Sequence, residues 1–312
     1  MILVPEATRK QIAEIVRAID SSAVSQIEGA RQMHAVDPEH FLPYLFLGQE
    51  QAAAGNLDAA ESLYWQGLER GPCSYTFYMS LGGVRGVRDP QDPLAVALKV
   101  LAFSKMAVAG EVDDEIAGQL RGDLEGLPFD FKNPEDLELF ASVLEARTKN
   151  QSEPPEVAGR LRPYWIFHDL QRQAPDDVSH DVLERLRENA DACVPILRAA
   201  LGEWSRLQHN LSAEALRFVV ALLGELGSAD LLDDLLELSM LDDDALFLHA
   251  QWAIRRIGQR FPSETFCEVA RGHPHGASVD ALRHCGTPRT AAGIGGRPGG
   301  SPGVAAGLFR LH

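Results

Sequence analysis

Apolar residues recur along most of this chain at helical rather than strand spacing, and that periodicity restricts the fold to packed helices. Ile12, Val16 and Ile19 stand at i, i+4 and i+7, and Ile27, Ala30 and Met33 repeat the stripe up to Asp37-Pro38. A second helix pair is expected over Phe41 to Ala54 and Leu57 to Arg70, turned at Gly55-Asn56 and stopped at Gly71-Pro72. The stops at Pro38 and Pro72 lie 34 residues apart, a period that points to a repeat architecture. No long alternating or β-branched run argues for a sheet. The expected class is therefore all-α: an α-solenoid of stacked antiparallel helix pairs, with a disordered C-terminal tail.

The pattern continues downstream. Pro134 to Arg147 reads as a helix with Leu137, Phe140 and Leu144 on one face. Residues 149–157, KNQSEPPEV, combine Pro, Ser and charge and form the expected linker. Beyond it, Val194, Ile196, Leu197, Ala200, Leu201 and Trp204 share a helix that tolerates Pro195 only near its start. Ser212 is placed to cap the next helix, whose apolar set Leu216, Val219, Val220, Leu223 and Leu226 ends at Gly227. Ser228 opens a short helix, and Asp242-Asp243-Asp244 caps another that carries Leu246, Ala250, Ala253, Ile254 and Ile257.

Tyr44, Leu47, Gly48, Gly55, Ala60, Tyr64, Leu68 and Pro72 fall on the spacing of the tetratricopeptide repeat, which this segment resembles. Gly67 departs from the alanine usual there. A weaker unit starts at Tyr78, Leu81 and Gly82, with an insertion from Arg88 to Pro93 delaying its second helix. The segments ALRFVVALLGELG and ALFLHAQWAIRRIG end at Gly227 and Gly258, 31 residues apart, and resemble the short HEAT repeats of bilin-lyase-type proteins. The resemblances imply tetratricopeptide-like repeats over 1–148, HEAT-like repeats over 158–272 and a low-complexity tail over 273–312. Units of this kind bury their apolar faces only by stacking, and the stack presents an extended binding face.

Charge narrows the partners. The chain has 312 residues and a formal charge of −16. Its first 280 residues hold all 45 acidic residues against 25 basic ones, whereas Ala281 to His312 hold none and four arginines. An acidic body is the wrong sign for neutralising phosphates, so nucleic acid is not an expected partner and a neutral or basic protein segment is. The start, MILVPEATRKQ, lacks the basic and apolar regions of a signal peptide, and Phe218 to Gly224 is far too short to span a bilayer. Four dispersed cysteines with no CxxC pair read as reduced, and a cytoplasmic location is expected with no membrane contact.

No GxGxxG, GxxxxGK[ST] or HExxH pattern occurs. Cys267, His273, His275, His284 and Cys285 have zinc-type atoms but the spacing of no known finger, and they read as unrelated residues. Arg255, Arg256 and Arg260 suit a helix C-terminus. The run Tyr164-Trp165-Ile166-Phe167-His168 either packs between the modules or, exposed, anchors a partner. Tetratricopeptide domains that clamp a carboxylate carry a basic residue and an Asn where this chain has Leu45 and Gln49, so that clamp is missing. The expected function is a non-catalytic protein-interaction scaffold. Its contact residues are expected around Tyr44, Leu45, Gly48 and Gln51, with Tyr164 and Trp165 as a second patch. The HEAT resemblance implies an alternative, an enzyme of the bilin-lyase type acting on a chromophore or modified protein. No catalytic, cofactor or metal residue is nominated.

Overall fold

A computed structural model of the chain describes residues 4–89, 92–109, 155–171, 178–207, 211–227, 229–239, 241 and 243–260. The expected helix over Pro134 to Arg147, the Cys267 group and the tail lie outside these residues. The described residues are all-α. They form α1 (Glu6–Asp20), α2 (Gln26–Val36), α3 (Leu42–Ala53), α4 (Leu57–Arg70), α5 (Tyr75–Arg88) and α6 (Pro93–Ala109). They continue with α7 (Pro155–Gln171), α8 (His180–Glu188), α9 (Ala190–Leu207), α10 (Ala213–Leu226), a 3-10 turn (Ala229–Leu231), α11 (Leu232–Leu238) and α12 (Asp244–Arg260).

Local chemistry sets the ends. Ser25, Ser179 and Ser212 accept hydrogen bonds from the N–H groups of Glu28, Val182 and Ala215, which caps α2, α8 and α10. The Asp243 carboxylate accepts from Leu246 N–H at 2.8 Å and starts α12. Gly55 turns α3 into α4 with φ of +78°, a conformation open to glycine. Pro155, expected in the linker, instead opens α7, because proline in a first helical turn gives up only an N–H that has no partner there. Pro195 sits further into α9 than expected, its sixth residue, since that helix begins at Ala190.

The 34-residue period is visible in the contacts. Tyr44 donates its hydroxyl to Pro38 O at 3.3 Å, and Tyr78 donates to Pro72 O at 2.8 Å. Gly48 lets α3 close on the Tyr64 ring of α4, and Gly82 lets α5 close on Lys99 and Ala95 of α6. Gly67 has a specific reason to lack a methyl group, for a Cβ there would lie 2.2 Å from the Phe77 ring.

From α1 to α6 each helix packs on the next, and α6 packs on α7. Helix α7 touches both α8 and α9, α9 passes to α10, and α12 packs on α10 and α11. One contact breaks this sequential order: α9 also lies against α4. One hydrophobic cluster accordingly runs through Phe41, Tyr64, Phe77, Leu98, Leu161, Phe167, Leu197, Leu223 and Ile257, spanning the segments on both sides of the expected linker. A smaller cluster joins Ile12, Ile15 and Met33 to Leu42 and Phe46.

Candidate functional site

The structure separates the six expected contact residues. Tyr44 is buried, with the Arg70 guanidinium 4.6 Å above its ring and the His34 ring against its edge. Leu45 is 9% exposed and belongs to the core, and Gly48 is covered by Tyr64. Gln51 is half-buried, and its Oε1 accepts from Asn56 Nδ2 at 3.0 Å across the α3–α4 turn. Tyr164 is buried edge-on against Tyr78, with ring centroids 6.0 Å apart, while Trp165 is half-buried beside His168. The aromatic run of α7 thus packs against the first half of the chain, the first of the two expectations for it. Motif positions of a helical repeat are packing positions, and burial follows from that.

What remains open on these helices is their other side. On α3, Gln49 and Ala53 are exposed one turn apart. On α5, Met79 and Gly83 are half-buried and Val87 is 73% exposed, again at four-residue spacing. A Cβ built on Gly83 meets nothing within 4 Å. The cations of α5 are engaged elsewhere: Arg85 pairs with Glu61 and Asp92 at 2.6 Å each, and Arg88 pairs with Asp58 and Glu61. Burial opposes ionisation of Glu61, but hydrogen bonds and charge from Arg85, with Trp65 and Arg88, hold its carboxyl below the usual range. Gln49, Ala53, Met79, Gly83 and Val87 therefore make an uncharged strip.

The two halves are joined by buried polar groups. Glu203, 0% exposed on α9, accepts from the Cys73 N–H at 2.7 Å. Gln171 of α7 donates to Cys73 Sγ at 3.7 Å and accepts from Lys105 Nζ of α6 at 2.5 Å. The Lys105 ammonium lies 5.2 Å from the Tyr78 ring centroid and 5.1 Å from that of Phe167. Burial lowers the Lys105 pKa to about 8, against the opposing pull of Cys73 and Glu203. Burial and then Glu203 push the Cys73 thiol well up, which keeps it protonated at neutral pH. Burial also raises Tyr78 and Tyr164.

At the other end of α9, Arg206 grips Asp37 with Nε–Oδ2 of 2.7 Å and Nη2–Oδ1 of 3.2 Å. Ser205 Oγ accepts from Val4 N–H at 2.8 Å, and on α7 Arg160 stacks 3.7 Å over Trp65. His40 lies in the same loop as Asp37. Its Nδ1 accepts from Leu42 N–H at 3.2 Å, and burial followed by the Arg206 charge lowers its pKa to about 4. Sequence analysis missed these groups. Glu203 did carry a signal, a charge three residues after Ala200 on the apolar stripe of α9, and Lys105 stands in an otherwise apolar run. Asp37 and Arg206 carried none, being 169 residues apart.

The arginines near the end of α12 cap a neighbouring helix. Arg260 donates to Gly224 O at 2.6 Å and Gly227 O at 2.8 Å at the C-terminus of α10, and Arg256 pairs with Glu225 at 2.7 Å. His249 Nδ1 lies 2.7 Å from Ala245 O within its own helix. Among the described residues, no three His, Cys, Asp or Glu side chains gather as metal ligands, and no helix is long and apolar enough to cross a membrane. The chain matches no protein-family model, no curated protein and no solved structure.

Proposed function

We propose that this protein is a non-catalytic interaction scaffold, a helical-repeat array with a tetratricopeptide-like first part and a HEAT-like second part. The observation that carries this reading is the uncharged strip of Gln49, Ala53, Met79, Gly83 and Val87, left open on α3 and α5 while α7 and α9 pack on α6 and α4. Adjacent repeats offering side chains at matched positions suit one extended ligand. The ligand is a protein segment, neutral where it meets the strip. Basic residues flanking that segment are favoured by the −16 charge of the chain, in a cytoplasmic setting.

Replacing Gly83 and Val87 together by arginine tests this. Both positions have room, so the thermal midpoint should stay within about 2 °C, in line with surface substitutions. Proteins captured by the wild-type chain, identified by mass spectrometry and rebound in purified form, should lose at least about tenfold in affinity, the effect of roughly 1.4 kcal/mol. Equal binding to both forms, or recovery of nucleic acid as the only ligand, would overturn the proposal.

A further inference from the structure

We draw no further inference here: the strongest candidate, the buried side-chain cluster of Cys73, Tyr78, Lys105, Gln171 and Glu203 where α6, α7 and α9 meet the start of α5, belongs to the joint already described, where its hydrogen bonds serve to hold the two halves together.

Discussion

His40 and Lys105 are both bases whose burial makes the neutral form cheaper in the folded chain than in the unfolded one. Unfolded His40 gains its proton near 6.5 and folded His40 near 4, so the unfolded state binds more protons between those values. The stability this residue contributes is complete above pH 6.5 and is lost as pH falls through 4. The span corresponds to roughly 3 kcal/mol. Other groups titrate in acid, so the readout is a difference: urea unfolding of wild type and His40→Asn at pH 7, 5.5 and 4 should show the wild type losing more. Parallel curves would mean that the imidazole is not held neutral. Lys105 obeys the same sign at the other end of the scale. Folded Lys105 releases its proton near 8 and the unfolded residue near 10.5, so its contribution rises with pH across that window. The stability of the wild type relative to Lys105→Met should therefore climb from pH 8 to pH 10, by up to about 3 kcal/mol. A flat difference would place the ammonium in water rather than between Tyr78 and Phe167.

At the scale of single helices, Gly67 sets propensity against packing. Alanine is the better helix former by about 1 kcal/mol, and the repeat that this segment resembles carries alanine there. The Phe77 ring occupies the space the methyl group needs, however, and overpacking costs typically 1–3 kcal/mol. Gly67→Ala should lower stability by about 1 kcal/mol in urea unfolding, and a gain would show that the ring swings aside freely. Helix ends were legible in sequence where one residue type has one use. Ser212 and Gly227 bracket α10 as read, and the acidic turn opens α12. Pro155 was ambiguous, because proline marks loops and helix starts alike. Contact residues were harder to read than helices. Tyr44 and Gly48 stand out in sequence because packing demands them, which is also why they are buried, whereas Gln49, Ala53 and Val87 follow no pattern that a sequence displays.

For the whole molecule, the sequence divides the chain at residues 149–157, yet one hydrophobic cluster runs from Phe41 to Ile257. Helical periodicity shows which face of a helix is buried but not against what, so contacts 130 and 169 residues apart leave no local trace. The Arg206–Asp37 pair makes the joint testable, since its side chains are only 8% and 10% exposed. Removing one member leaves the other charge buried and alone, at a cost of about 3–5 kcal/mol. Hydrogen exchange followed by mass spectrometry on wild type and Arg206→Met addresses the central structural claim, that the two halves stand or fall as one body. The account predicts that exchange quickens together in α3 to α5 and in α9 to α10. Faster exchange confined to residues 190–207, with α3 to α5 protected as in the wild type, would contradict it.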